Sequence, residues 1–310
     1  MKVSIIGVGN VGGLLASRLL ELQVPQITLI DAFRELAEAK ALDLEDACAL
    51  YKYNCNLKGS QNFEDIAGSD IVVITAGFAR RPGMSREELL KKNALIIKEI
   101  ALKIKELCSD CLILVVTNPL DVITYLVLKT TGFPYQRIIG VGANLDAARF
   151  TNLISKQLNI SSQEIDALVI GSHGEAMLPL ARFTYIKGKP LTEIVDTITI
   201  EKLIQATIKR GAQIVSLYGS GSAYFAPSLA IAKVIAGILQ DQKKTMGVCA
   251  YLQGEYGLSD LCIGVPCILG KNGIEDIVEL PLNDKERELF LVSAQSIRLQ
   301  IENLKQNALL

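Results

Sequence analysis

One histidine, His173, occurs in the 310 residues, and a lone imidazole cannot share a metal ion with other histidines. An excess of charge is also missing. Lys and Arg number 32 against 33 Asp and Glu, a formal charge of -1, which leaves no basic footprint for nucleic acid or an anionic membrane surface. No run supplies the roughly 20 uninterrupted apolar residues of a membrane span, since the stretch 111–128 is broken by Asn118, Pro119 and Asp121. The start does not read as a leader, because Met1-Lys2-Val3-Ser4-Ile5-Ile6-Gly7 enters a strand at once. A cytoplasmic protein is therefore expected. The seven cysteines are odd in number and show no repeating framework, so they are expected to be reduced thiols. Cys108 and Cys111 have the spacing of a zinc or redox pair, yet no second pair or nearby histidine completes a site. No metal is expected. Internal repeats and low-complexity linkers are absent too. With 50% hydrophobic and 21% charged residues, the chain has the profile of a soluble globular protein with a sizeable core and two halves packed tightly together.

What is present is an alternation. Residues 3–8 form a short β-branched run, 12–22 carry apolar residues at helical spacing, and 27–31 form a second strand ending on Asp31. That is a βαβ unit. Helical patterning over 34–50, a strand at 71–75, a helix over 86–107 and strands at 112–117 and 137–140 continue it. Such alternation implies a parallel sheet covered on both faces. Asn144 is placed to cap the next helix, which carries Phe150, Leu153, Ile154 and Leu158. Beyond it, strands near 167–170, 181–186, 247–252 and 261–269 mix with helices near 200–218, 227–239 and 284–304. The fold class expected is α/β: a doubly wound Rossmann domain over 1–144, then an α+β substrate domain over 145–310.

Gly7-Val8-Gly9-Asn10-Val11-Gly12 is a G-x-G-x-x-G run that leaves the first strand and opens a helix. Gly7 and Gly9 allow a tight turn and close approach of a pyrophosphate, and Gly12 lets helix and strand pack. The helix N-terminus adds amide donors and positive dipole. Asp31 ends the second strand, where its carboxylate can accept from the adenosine ribose hydroxyls and repel a 2′-phosphate. NAD is the expected cofactor, with NADP a lesser alternative because Arg34 lies close by.

His173 stands in Gly171-Ser172-His173-Gly174-Glu175. It is either a core histidine satisfied by one backbone partner or a group exchanging a proton near neutral pH. Asp146 and Arg149, at i and i+3 of a helix, are neighbours on one face. They read as a surface ion pair or as machinery, in which Asp146 receives a ring N–H of His173 and Arg149 grips a substrate carboxylate. The segment from Phe78 to Arg86 holds Arg80, Arg81 and Arg86 with Pro82 and Gly83. At the carboxyl edge of a sheet it is either a solvated loop or an anion trap. Asn118, before Pro119, is either a turn residue or an amide that holds a substrate oxygen and a cofactor ribose.

Taken in order, the glycine fingerprint, Ala41-Leu42-Asp43-Leu44, Thr75-Ala76-Gly77, the stretch from Arg80 to Arg86, Thr117-Asn118-Pro119, Leu145-Asp146-Ala147-Ala148-Arg149-Phe150, His173-Gly174 and Gly221-Ser222-Ala223-Tyr224 carry a resemblance. Over nearly its whole length the chain resembles the NAD-dependent malate and lactate dehydrogenases, and within them the bacterial malate dehydrogenases of the lactate-dehydrogenase-like type. The resemblance implies reversible oxidation of (S)-malate to oxaloacetate. It makes His173 the proton acceptor, Asp146 its orienting partner, Arg149 the clamp on the C1 carboxylate and Arg86 the group that polarises the carbonyl. Asn118 would contact the substrate oxygen and the nicotinamide side, and Asn93, Val116 and Thr117 would add cofactor contacts. A homodimer or homotetramer is implied, with the helix over 34–50 at an interface.

Substrate choice rests on Arg80. Lactate dehydrogenases usually hold glutamine at the matching position, and malate dehydrogenases an arginine that pairs with a second carboxylate. Closure over pyruvate would leave Arg80 desolvated and unpaired, at a cost of about 3 to 5 kcal/mol. A lactate or broader 2-hydroxy-acid dehydrogenase, or a non-catalytic NAD-binding protein, are the alternatives. The chain departs from the usual Gly-Gly-His-Gly-Asp of the family at Ser172 and Glu175.

Overall fold

β-Branched runs and amphipathic segments alternate through the first half as the sequence predicts. The computed structural model, which describes residues 1–78 and 86–310, places β1 at Lys2–Ile6, α1 at Asn10–Glu21, β2 at Gln26–Ile30, α2 at Arg34–Tyr51, β3 at Asn56–Ser60, β4 at Ile71–Ile74, α3 at Arg86–Leu107, β5 at Leu112–Val115, α4 at Leu120–Thr131 and β6 at Ile138–Gly140. The six strands are parallel and lie in the order β3-β2-β1-β4-β5-β6. Strand order reverses between β1 and β4, which opens a crevice at their carboxyl ends where ligands of doubly wound sheets bind.

The second half contributes α5 (Ala143–Leu158), β7 (Ile165–Asp166), β8 (Val169–Gly171), β9 (Met177–Pro179), β10 (Tyr185–Ile186), β11 (Lys189–Pro190), α6 (Leu191–Ile194), α7 (Thr197–Tyr218), α8 (Phe225–Leu239), β12 (Lys244–Gln253), β13 (Ser259–Gly270), β14 (Gly273–Ile277) and α9 (Asp284–Gln306). Its strands β12, β13, β8 and β9 extend the same sheet past β6 in antiparallel sense, with β14 beside β13. The joint is narrow, with Cys249 opposite Gly140. A Cβ on Gly140 would lie 2.6 Å from the Thr124 hydroxyl oxygen and 2.7 Å from the Cys249 Cβ, so only glycine lets the two halves share a sheet there. Strands β7, β10 and β11 form a separate small sheet.

Several differences from the sequence reading have local causes. Strands β4 and β5 stop at Ile74 and Val115 because the threonines beyond them bond across the sheet edge. Thr75 Oγ1 donates to the Gly7 carbonyl, and Thr117 Oγ1 donates to the Ala76 carbonyl at 2.6 Å. The helix expected after Asn144 begins at Ala143, and Asn144 turns its amide to the Ala230 carbonyl of α8 at 2.9 Å. The strand read at 181–186 is a 3-10 turn at Ala181–Phe183 followed by the short β10. Helix α4 was hidden by its own burial. Leu120 to Leu128 are all buried, because α4 lies between α3, α9 and the β12–β13 strands, and a stretch of helix that meets no solvent shows little amphipathic period.

Among the described residues, no helix is long and apolar enough to cross a membrane, and no cluster of three or more His, Cys, Asp or Glu side chains could hold a metal ion. The seven cysteines are free thiols.

Candidate active site

The glycine run turns from β1 into α1 with a separate task at each glycine. Gly7 has φ +91, and a Cβ there would strike the Ala76 backbone nitrogen at 2.4 Å. A Cβ on Gly12 would sit 2.1 Å from the Gly7 carbonyl oxygen, so helix and turn touch through backbone alone. Gly9 differs. It precedes Asn10 and Val11 of the first turn, no side chain caps the helix, and a Cβ there would meet nothing within 4 Å. Uncapped first-turn amides facing open space form a cradle for a phosphate.

Asp31 closes this turn from β2. Its Oδ2 accepts from the Val8 N–H at 2.8 Å and its Oδ1 from the Phe33 N–H at 3.1 Å. Arg34, the residue that kept NADP open, is instead paired with Glu38 on the exposed face of α2 at 2.6 Å. Lys40 is a residue the sequence reading missed. From α2 its Nζ donates to the Val8 carbonyl and, at 2.9 Å, to the Gly9 carbonyl. Burial lowers its proton affinity, against the pull of Asp31. An inward lysine one turn after the buried Ala37 was the available signal.

Further along the edge, Asn93 of α3 ties three segments together. Its Oδ1 accepts from the Phe78 N–H at 2.7 Å, and its Nδ2 donates to the Asn118 carbonyl at 2.7 Å. Val116 is half-buried, Thr117 is buried and the Asn118 side chain is exposed at the rim. Of the expected cationic loop, Arg80 and Arg81 lie outside the described residues. Arg86 opens α3, and its side chain also lies outside what the structure describes.

His173 follows β8 and lies against the backbone just past β6, since a Cβ on Gly142 would come within 2.9 Å of its Cγ. That puts the imidazole at the same carboxyl edge as the glycine turn. Asp146, in the first turn of α5, is 1% exposed and has one oxygen for each neighbour. Its Oδ2 is 2.7 Å from His173 Nδ1, and its Oδ1 accepts from Arg149 Nη1 at 2.9 Å. Beside a carboxylate, Nδ1 carries the proton and Nε2 is left as the acceptor. Burial alone would lower the proton affinity of His173. The charge and hydrogen bond of Asp146 outweigh it together with Arg149, with a smaller contribution from Asp121, and the net shift is upward. Arg149 is 13% exposed and lies near Gly211 of α7, where a Cβ would stand 3.5 Å from Nη1. The sequence-predicted histidine, carboxylate and arginine are thus brought together, and Glu175 is exposed beside them.

Fold and crevice together define a dinucleotide-binding α/β protein with a histidine–carboxylate pair at the same sheet edge. Residues 1–140 match the model of the lactate/malate dehydrogenase NAD binding domain, and residues 143–308 match that of the lactate/malate dehydrogenase alpha/beta C-terminal domain. The chain belongs to the lactate/malate dehydrogenase family. It is 46% identical to a malate dehydrogenase of Trichormus variabilis, covering 97% of this chain and 93% of that protein, and 42% identical to one of Methanosarcina mazei, covering 98% and 99%. Among solved structures it is similar to a malate dehydrogenase of Cryptosporidium parvum (TM-score 0.95, 34% identity, 98% and 99% covered). It is also similar to a lactate dehydrogenase of that organism complexed with lactic acid and nicotinamide adenine dinucleotide (TM-score 0.95, 31% identity, 98% of each chain covered).

Proposed function

We propose that the protein is an NAD-dependent malate dehydrogenase that interconverts (S)-malate and oxaloacetate. The observation that carries this reading is the buried Asp146 holding His173 Nδ1 at 2.7 Å and Arg149 at 2.9 Å, at the edge where the glycine turn opens. The cofactor would be held by the amides at Gly9, Asn10, Val11 and Gly12, by Asp31 at the ribose, and by Asn93, Val116, Thr117 and Asn118 toward the nicotinamide. When bound it supplies the acceptor for a hydride from C2 of malate.

The protein's own residues handle the proton and the charges. His173 Nε2 takes the hydroxyl proton as C2 becomes a carbonyl, and Asp146 stabilises the imidazolium that results. Arg149 holds the C1 carboxylate in a two-pronged pairing. In the reverse direction protonated His173 returns the proton to the carbonyl oxygen, with Arg86 polarising it. Arg80 pairs with the second carboxylate, which oxaloacetate has and pyruvate lacks.

NADH oxidation with oxaloacetate and pyruvate side by side, repeated with NADPH, tests the reading. The expected result is the higher kcat/KM for oxaloacetate with NADH; a preference for pyruvate overturns the role of Arg80. His173→Asn is expected to bind NADH and to lose turnover by at least about a hundredfold, and near-normal turnover removes the histidine from the mechanism.

The division into residues 1–144 and 145–310 is supported by the ends of the two family matches, at 140 and 143. A homodimer or homotetramer is supported by apolar side chains standing in solvent along α2, with Leu42 62% and Leu50 86% exposed.

A further inference from the structure

Among the described residues, one buried carboxylate is not used by the mechanism above. Asp121 lies in the first turn of α4 and is 3% exposed, in a stretch from Leu120 to Leu128 that is buried throughout. Its Oδ2 accepts two hydrogen bonds from the histidine loop, from Ser172 Oγ at 3.0 Å and from the His173 backbone N–H at 2.8 Å. The Cys249 thiol of β12 lies near this carboxylate, and burial pushes that thiol's pKa well up, so it stays protonated. Oδ1 accepts no hydrogen bond and is, among the described residues, the one buried side-chain oxygen or nitrogen without a partner. The loop is held a second time, since the Ser172 N–H donates to Ser293 Oγ of α9 at 2.7 Å. Two successive amides of the chain that carries the imidazole are thus received by buried side chains 121 and 52 residues away in sequence.

An unpaired buried carboxylate oxygen costs stability, and an apolar residue would pack α4 without that cost. We infer that Asp121 is a positioning residue of the proton-transfer site: it clamps the His173 amide and places a second negative charge behind the imidazole, alongside that of Asp146. The inference rests on the reading of His173 as the proton acceptor. The groups facing His173 are Asp146 and Arg149 from α5 and Asp121 from α4, and the groups facing Asp121 are His173, Ser172 and Cys249. Burial raises the proton affinity of Asp121, and the net shift is upward; the charge of His173 and the hydrogen bonds from the His173 amide and Ser172 oppose it without reversing it. The amino-terminal end of α4 favours the anion as well. As His173 takes up a proton, Asp121 and Asp146 both favour the imidazolium, and Arg149 opposes it.

Because the chain has a single histidine, selective 15N-histidine labelling puts one imidazole and one histidine amide in the NMR spectrum of the full-length protein. Asp121→Asn keeps an oxygen acceptor for the amide and removes the charge. The imidazole midpoint is expected to fall by at least about 0.5 pH unit relative to the native protein, and an unchanged or raised midpoint overturns the inference. If the variant does not fold, the native protein still decides: the His173 amide is expected to be strongly protected from hydrogen exchange, and rapid exchange rules out the clamp. The titration needs no substrate. Failure of the native enzyme to reduce oxaloacetate would defeat the proposed activity, whereas an unmoved midpoint in an enzyme that does reduce it would defeat only the role of Asp121.

Discussion

Asp146 serves two cations with its two oxygens, and this division has a pH consequence. Its charge and hydrogen bond hold the His173 pKa above the ordinary value near 6.5, against the opposing burial. With His173 as the proton donor proposed above, oxaloacetate reduction needs the imidazolium, so that direction should persist above pH 6.5 and fall as pH rises through the raised value. Asp146→Asn should move this alkaline limb of kcat/KM to lower pH by about 1 unit or more; an unmoved limb would mean another group sets it. The linked stability has the same sign. A raised native pKa stabilises the fold fully below the unfolded value, and the contribution is lost as pH rises through the native one. His173, Asp146 and Arg149 were legible because two sit at i and i+3 and the third is the only histidine. Asp121 was visible merely as a carboxylate breaking an apolar run, since its partners are distant in sequence.

At the scale of elements, the turn from β1 into α1 is closed by backbone packing. A methyl added at Gly12 would meet the Gly7 carbonyl at 2.1 Å and the Thr75 hydroxyl oxygen at 2.8 Å, and a backbone atom cannot swing aside. Gly12→Ala should lower stability by about 1 to 3 kcal/mol and weaken NADH binding, as read by urea denaturation and by fluorescence titration of the nucleotide. Native stability with native binding would show that the turn can open without loss. This glycine was legible through its motif. Strand β3 was not, because Asn56-Leu57-Lys58-Gly59-Ser60 has little β-propensity and is extended by parallel pairing with β2. Strand β14 escaped for a related reason, being formed as an edge partner of β13. Helix α4 escaped because periodicity reports a boundary with water, and from Leu120 to Leu128 it has none.

For the molecule as a whole, the exposed apolar side chains of α2 are ill suited to a lone protomer. Leu42, Leu50 and Tyr51 lie 62%, 86% and 50% exposed, on the helix whose other residues support the cofactor turn through Lys40. Replacing both Leu42 and Leu50 with Glu should convert an oligomer to smaller species in sedimentation velocity; a native protein already monomeric at micromolar concentration would refute the homo-oligomer. That a nucleotide-binding half is followed by a second alpha/beta half was legible from the change in pattern along the chain. That the second half continues the first half's sheet was not, because a joint of one residue pair between β6 and β12 leaves no sequence signal. Helix α4 belongs to the first half and packs against β12, β13 and α9 of the second. Its entry residue Asn118 offers a carbonyl to Asn93 on the cofactor side, and three positions later Asp121 receives the histidine loop. On the proposed mechanism, the stations for hydride and proton are therefore surveyed from a single benchmark, set in a buried stretch of helix. If the halves rock against each other, the alignment of the two transfers rides on one turn of helix instead of being re-established at every turnover.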